Sequence, residues 1–335
     1  MLNIGVIGAG HLGAIHIKLL SQNKSINLIG IYDTDVFKAK EIANIYNIIS
    51  FDSQIDLIKN CDCLIIASPT IFHHSIAKEC LLQGKHCFIE KPITDTYSNA
   101  LELIQIAKDK NLILQVGHVE RFNPVMAVLD KYEISPLFIE GHRLSQFKPR
   151  SLDVSVVHDL MIHDIDICLM LTKSKIKKIE ANGVSVLTNS TDIANARIHF
   201  NNGAVANLTA SRISAKPMRK LRIFQKSAYF SLDFEKQDVK IFGLTENNIN
   251  PNNINPENEK IQNSIILGTI ELDSINKNII MENPTVPNIN AIEQEHYSFI
   301  NSIVNNSPAK VNGDEAAEAL RIVEIINDLI IEQKI

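Results

Sequence analysis

No apolar run in this sequence approaches the ~20 residues that a membrane-crossing helix needs. The first residues, Met1-Leu2-Asn3-Ile4-Gly5, enter strand-like sequence with no basic region before it. Neither a membrane span nor a secretory signal peptide is expected, and the chain is expected in the cytoplasm. A basic surplus is missing too: 33 Lys and Arg face 38 Asp and Glu for a net charge of −5, and the basic residues are scattered. That balance argues against a nucleic-acid partner. The even cysteine set of a secreted scaffold is absent. The five cysteines, Cys61, Cys63, Cys80, Cys87 and Cys168, stand in apolar contexts and read as free buried thiols of a reducing compartment. No internal repeat is present. What remains is ordinary globular composition, 45% hydrophobic and 21% charged, in 335 residues. That length exceeds one comfortable core and predicts two domains.

The first part of the chain alternates β-branched runs with helical stretches, the pattern of a doubly wound parallel sheet. The runs are Asn3 to Ile7, Asn27 to Tyr32, Cys63 to Ala67, His86 to Glu90 and Leu112 to Gly117. Residues 1–122 are expected to form this domain and residues 123–335 a second, α+β domain with a large, mostly antiparallel open sheet. In the second domain a helical stretch, Val154 to Leu171, precedes strand-like runs from Ile176 to Phe242. Asn201-Asn202-Gly203 predicts a tight hairpin turn, with Asn-Gly supplying positive φ angles. Thr245 to Asn263, rich in Asn, Pro and Glu, reads as an exposed excursion. Asn290-Ala291-Ile292-Glu293 resembles a capping box opening a helix, and a further helix follows Gly313-Asp314.

Gly8-Ala9-Gly10-His11-Leu12-Gly13 lies directly after the first strand and opens a helix, the context that a dinucleotide fingerprint requires. Gly8 permits the turn, Gly10 admits the pyrophosphate to the backbone and Gly13 lets helix and strand approach. The helix start offers free N–H groups to the phosphates. Asp33 closes the second strand about twenty residues later, where a carboxylate binds the adenosine ribose hydroxyls. The same charge repels a 2′-phosphate, and the next residues, Thr34 and Asp35, supply no arginine to offset it. The expected cofactor is NAD, with NADP disfavoured.

Glu90-Lys91-Pro92 ends a strand, and in open α/β sheets ligands gather at the carboxyl ends of strands. Lys91 is either an acid–base group for a substrate hydroxyl or a solvated lysine. In the helical stretch Asp159, His163 and Asp166 fall at i, i+4 and i+7 on one face of an otherwise apolar segment. A buried polar stripe asks for partners. A proton-transfer site, a structural network and a metal pair all answer, although no further His or Cys stands at ligand spacing for a metal.

Together these residues resemble the glucose-fructose oxidoreductase, inositol dehydrogenase and rhizopine-catabolism (Gfo/Idh/MocA) family. The matches are the glycine loop, Ala67-Ser68-Pro69-Thr70-Ile71-Phe72-His73, Glu90-Lys91-Pro92, and Asp159 with His163. The resemblance implies a Rossmann domain, a second domain whose open sheet mediates homodimers or homotetramers, and a dehydrogenase acting on CH–OH groups. It makes Lys91, Asp159 and His163 the catalytic set. Ser68, Thr70, His73 and Glu90, beside Gly8, Gly10, His11, Leu12, Gly13 and Asp33, become cofactor contacts. The glycine-rich lead expected before the catalytic helix is replaced by Asp153-Val154-Ser155-Val156-Val157.

Val116 to Pro124 and Gly141 to Arg150 look most like the branch that includes UDP-N-acetylglucosamine 3-dehydrogenases. His118, Arg121 and Asn123 would line a substrate cleft, and Arg143 and Arg150 would bind a diphosphate or else only pair with carboxylates. The resemblance therefore implies oxidation of a secondary alcohol of a sugar, first a nucleotide sugar, then inositol or a free sugar. A sensor that binds NAD and a sugar without turnover is the reading from another class. The catalytic set argues against it.

Overall fold

In the computed structural model, residues 1–147, 154–226, 228–246, 264–272 and 275–332 are described. They divide into two compact units: Met1–Phe122 with Ile289–Glu324, and Asn123–Asn288 with Ile325–Ile335. Residues 289–324, which a linear division of the chain gives to the second domain, pack in the first.

The first unit holds a six-stranded, all-parallel sheet of order β3-β2-β1-β4-β5-β6. Its strands are β1 (Leu2–Ile7), β2 (Ile26–Tyr32), β3 (Ile49–Ser50), β4 (Cys63–Ile66), β5 (His86–Glu90) and β6 (Leu114–Gly117). All but the two-residue β3 coincide with runs read from the sequence. These strands are near-continuous apolar runs because both faces are covered. Successive side chains point to opposite faces, so Leu64 and Ile66 join one core cluster while Cys63 and Ile65 join the other. The helices of this unit are α1 (His11–Leu20), α2 (Val36–Tyr46), α3 (Gln54–Lys59), α4 (His73–Leu82), α5 (Tyr97–Asp109), α8 (Ala291–Val304) and the first part of α9 (Gly313–Glu332), and α6 (Pro124–Leu129) belongs to the second. Asn290 caps α8, its Oδ1 accepting from Ile292 N at 3.0 Å and Glu293 N at 3.2 Å. All five cysteines are free and buried, and burial pushes the Cys61 thiol up to about 12.

The second unit carries a nine-stranded sheet of order β14-β15-β13-β12-β11-β7-β10-β9-β8. Every described pairing is antiparallel except β7 (Phe138–Leu144) with β10 (Val205–Ser211). The others are β8 (Ile176–Val184), β9 (Ile193–Phe200), β11 (Met218–Gln225), β12 (Ala228–Asp233), β13 (Asp238–Glu246), β14 (Ser264–Leu272) and β15 (Ile275–Glu282). Ala194, Ala196, Ala206 and Ala210 line the inner face with Ile198 and Leu208. A Cβ on Gly141 would stand 2.7 Å from Leu208 Cδ2 and 3.9 Å from Asp164 Cβ. Glycine there lets α7 (Ile162–Thr172) come close to the sheet.

The β9–β10 turn differs from the expected one. Of its residues only Gly203 takes a positive φ, +88°, and Phe200 N donates to Ala204 O across a four-residue loop. The hairpin β14–β15 follows the expected excursion, most of which, 247–263, lies outside the described residues.

Candidate active site

The glycine loop has the geometry its sequence calls for. Gly8 sits at φ +113°, and a Cβ there would stand 2.6 Å from Ala67 O. A Cβ on Gly13 would come within 1.9 Å of Gly8 O, so only glycine lets α1 start this close to the loop. Gly10 is different, because a Cβ on it would meet nothing within 4 Å. It is the N-cap of α1 and makes no side-chain cap hydrogen bond, and His11 and Leu12 are exposed beside it. An uncapped, open helix start suits a phosphate group. Asp33 leans over the same loop: its Oδ2 accepts from Ala9 N at 2.5 Å and its Oδ1 from Asp35 N at 2.7 Å.

At the ends of β4 and β5 the next candidates meet. Ser68 has a buried Oγ with no hydrogen-bond partner among the described residues. That orphaned hydroxyl and the vacant side of Gly10 fit a bound dinucleotide. Thr70 is half-buried on a short turn, Thr70–Phe72. His73 is 1% exposed, and its ring nitrogens lie 2.9 Å from Pro92 O and 2.9 Å from Ser68 O. It fastens the Ser68 loop to the Lys91-Pro92 loop and offers no free edge to a cofactor. Burial lowers the His73 imidazole, against the opposing pull of those two carbonyls and of Glu90 and Asp95. Lys91 is half-buried at the end of β5, beside Glu90.

Asp159 lies in a π-helical turn, Val157–Met161, that leads into α7. The sequence spacing predicts a continuous α-helix there. The wider turn alters the register, and such turns recur at functional sites. Asp159 and His163 are half-buried, while Asp166 and Asp164 are buried. Neighbouring His158 is anchored by Asn327 Nδ2, 3.0 Å from its Nδ1, and Ser155 Oγ donates to Asn327 Oδ1 at 2.7 Å.

The four residues expected to face substrate have protein surroundings. His118 is 1% exposed after β6. Arg121, in the 3₁₀ turn Val119–Phe122, donates from Nη1 to Glu315 Oε2 at 2.6 Å. Asn123 caps the helix Pro124–Leu129, its Oδ1 accepting from Val125 N at 3.1 Å. Arg143 is 3% exposed, with Nε 3.1 Å from both oxygens of Asp164 and Nη2 2.7 Å from Oδ1. Arg121 and Arg143 thus each meet a carboxylate, which for Arg143 is one of the two alternatives the sequence left open. Arg150, and Asp153 in the altered lead to the catalytic helix, lie outside the described residues.

Two residues of this region escaped sequence reading. His16 on α1 and His296 on α8 lie 2.7 Å apart, nitrogen to nitrogen, and His16 also reaches Glu90. They are 280 residues apart and fall in no motif. Among the described residues no group of three or more His, Cys, Asp or Glu is arranged to hold a metal ion, and no helix is long and apolar enough to cross a membrane.

A glycine-loop helix start with an acid at the carboxyl edge of a parallel sheet has the features of a dinucleotide-binding Rossmann domain. Residues 2–118 match the model of the oxidoreductase family with an NAD-binding Rossmann fold, and residues 136–230 match the GFO/IDH/MocA C-terminal domain. The chain belongs to the GFO/IDH/MocA oxidoreductase family. It is 38% identical over 242 residues to the UDP-N-acetylglucosamine 3-dehydrogenase of Acidithiobacillus ferrooxidans, covering 72% of this chain and 77% of that one. The solved structure of UDP-N-acetylglucosamine 3-dehydrogenase GnnA from the same organism is similar with a TM-score of 0.86, 31% identity and coverage of 98% and 97%. The scyllo-inositol 2-dehydrogenase (NAD(+)) of Bacillus subtilis is 28% identical over 229 residues, 62% of this chain and 67% of that one.

Proposed function

We propose that this oxidoreductase oxidises the 3-hydroxyl of UDP-N-acetylglucosamine with NAD, providing a keto sugar for amino-sugar synthesis in the cell envelope. The observation that carries the reading is the likeness to the Acidithiobacillus ferrooxidans enzyme, 38% identity in sequence with the same fold along 98% of the chain. NAD over NADP rests on Asp33. A carboxylate ~4 Å from a 2′-phosphate costs about 4 kcal/mol per unit charge at an effective dielectric of 20. No arginine follows it, and Asp35 adds a second acid.

Gly8, Gly10, His11, Leu12, Gly13, Asp33, Ser68 and Thr70 would hold the dinucleotide, whose nicotinamide, when bound, accepts a hydride. Lys91 or His163 takes the proton of the substrate hydroxyl, with Asp159 positioning His163. His73 and Glu90 act by fixing the loops that carry Ser68 and Lys91. His118, Arg121, Asn123 and Arg143 would shape the substrate pocket through the protein groups they hold.

Those same ion pairs favour a second reading. With Arg121 on Glu315 and Arg143 on Asp164, neither guanidinium is left open for a diphosphate, as suits a dehydrogenase of inositol or a free sugar. Absorbance at the NADH band separates the two when the protein and NAD are mixed with UDP-N-acetylglucosamine, inositols or free hexoses. Turnover of the nucleotide sugar is expected, and turnover confined to inositols or hexoses would replace the first reading with the second. NADP supporting an equal rate would remove the Asp33 argument.

We further propose a homodimer or homotetramer formed through the nine-stranded sheet. Phe138, Phe224, Tyr229 and Phe242 form a ladder across it, with centroid spacings of 6.0, 4.6 and 5.1 Å, and Phe224 is 37% exposed. Solution scattering at micromolar concentration should give twice or four times the chain mass. The unpaired cysteines fit a cytoplasmic, reducing setting.

A further inference from the structure

Beside Lys91 lies a buried polar assembly that the reaction as proposed leaves unused. His16, on α1, is fully buried, with Nε2 2.8 Å from Glu90 Oε1 and Nδ1 2.7 Å from Nε2 of His296 on α8. Glu90 is 7% exposed, and its Oε2 accepts from the backbone N–H of Lys91 at 3.2 Å. Phe88 stands edge-on to both rings, 5.5 Å from His16 and 6.4 Å from His296 between centroids, and makes the wall of the assembly apolar.

Glu90 has an N–H directed at each of its oxygens when His16 is protonated on Nε2, which suits a carboxylate. In a neutral His16 ring Nδ1 then accepts from Nε2 of His296, and in an imidazolium it donates to that nitrogen, so His296 engages the second nitrogen of His16 in either state. Burial, with the charge of His16 adding to it, holds the His296 imidazole well below its ordinary range.

Other titratable groups face Glu90 from the elements around it. His73 comes from α4 and Glu295 from α8, next to His296, while Glu120 of the 3₁₀ turn acts on Glu295. Burial, with Glu90 and Glu120 adding to it, pushes the Glu295 carboxyl well up. A donor from His16 favours the anion of Glu90 among these groups, and His296 holds the other nitrogen of that ring.

We propose that His16 and His296 are positioning residues for the reaction, keeping Glu90 an anion beside Lys91 and so tuning the acid–base behaviour of the lysine amine. The proposal rests on Lys91 acting as an acid–base group. Removing the imidazole leaves a nearly buried carboxylate with a single donor, which favours its protonation. Lys91 then loses a neighbouring negative charge, and its amine gives up a proton more readily.

The test reads Lys91 without substrate. The full-length protein is acylated by trace acetic anhydride across a pH series, and the Lys91 peptide is quantified by mass spectrometry. In His16→Leu the Lys91 reactivity profile should move to lower pH by about half a unit, the size expected of one screened charge at several ångströms. His16→Gln, whose amide can still donate to Glu90, should return it toward the wild type. His296→Leu keeps the His16–Glu90 bond but frees the tautomer, and should move the profile the same way by less. If His16→Leu does not fold, His296→Leu decides alone.

Unmoved profiles overturn the proposal, as does a fall in thermal stability with no movement, which would be a purely structural role. Turnover of Lys91→Ala with NAD and UDP-N-acetylglucosamine tests the underlying reading separately. Wild-type turnover in that variant removes Lys91 from the chemistry even if the acylation profiles move.

Discussion

The two units treat polar side chains in opposite ways. At the carboxyl ends of the parallel strands the chain leaves groups open: the α1 start at Gly10 has no side-chain cap, and Ser68 Oγ has no partner among the described residues. On the inner side of the nine-stranded sheet it closes them. Arg143 and Asp164 satisfy each other in a fork, and Asp192 takes N–H groups from Val186 and Leu187 at 2.7 Å each and from Thr188 at 2.9 Å. A buried charge is therefore no sign of a site by itself. What marks a site is hydrogen-bonding capacity that the protein does not use, since an unfilled buried group costs about 1–3 kcal/mol unless a ligand fills it.

The strongest challenge to this contrast is at Lys91 and His163, one on each side of it. Replacing either by Ala should lower turnover ~10²–10⁴-fold, the usual worth of a positioned acid or base, with little change in NAD affinity. Initial rates and NAD titration of the two variants measure this, and undiminished turnover in both would remove the mechanism.

Next comes the closed pair. Arg143→Met should destabilise the fold by about 3–5 kcal/mol, because the buried Asp164 loses its bidentate guanidinium, whereas an apolar replacement of both should recover most of the loss. Chemical denaturation decides it. If Arg143→Met is stable but fails to bind nucleotide sugar, Arg143 belongs to the open class after all.

Asp192 gives a smaller, pH-dependent effect. Burial alone would raise its carboxyl, but hydrogen bonds from the Thr188 hydroxyl and from the backbone of Thr188, Val186 and Leu187 hold it down at about 2. A carboxyl depressed in the folded state adds stability above its unfolded range and loses it as pH falls through the folded value. About 2 kcal/mol should therefore disappear between roughly pH 4 and pH 2. Asp192→Asn should lower stability at neutral pH and flatten that acid limb in denaturation curves.

Gly10→Ala, whose added methyl meets only open space in the protein, should weaken NAD binding about tenfold or more by standing where the pyrophosphate approaches. It should cost far less stability than Gly13→Ala, whose methyl meets Gly8 O. Calorimetric titration and thermal melts of the pair separate a ligand role from a packing role. Least of all should matter Arg222 and Glu140, 2.7 Å apart with side chains 42% and 34% exposed. Breaking that pair should change stability by no more than ~1 kcal/mol.

The parallel domain was legible because its strands are unbroken apolar runs and its glycines fall at a spacing whose purpose is steric. β3 was missed because two residues carry no period. β15 was missed because Asn276-Lys277-Asn278 breaks its apolar alternation, and β14 because its run Ile265-Ile266-Leu267 stops at Gly268 without a period of two. The π turn was hidden, since spacing alone cannot tell an i, i+4 pair in an α-helix from one crossing a wider turn. The charge partners were the least legible. Asp164, Glu315 and His296 lie 21, 194 and 280 residues from Arg143, Arg121 and His16, and nothing local in the sequence links them.

The late return of residues 289–324 bears on how the protein is made. Val311, Ala316, Ala317 and Leu320 complete one apolar layer over the parallel sheet, and Phe299 and Ile300 complete the other. A ribosome delivers those six side chains only after the 166 residues 123–288 have emerged. Until then the nascent nucleotide-binding half carries bare hydrophobic surface on both sides, a state that invites chaperones and punishes premature termination.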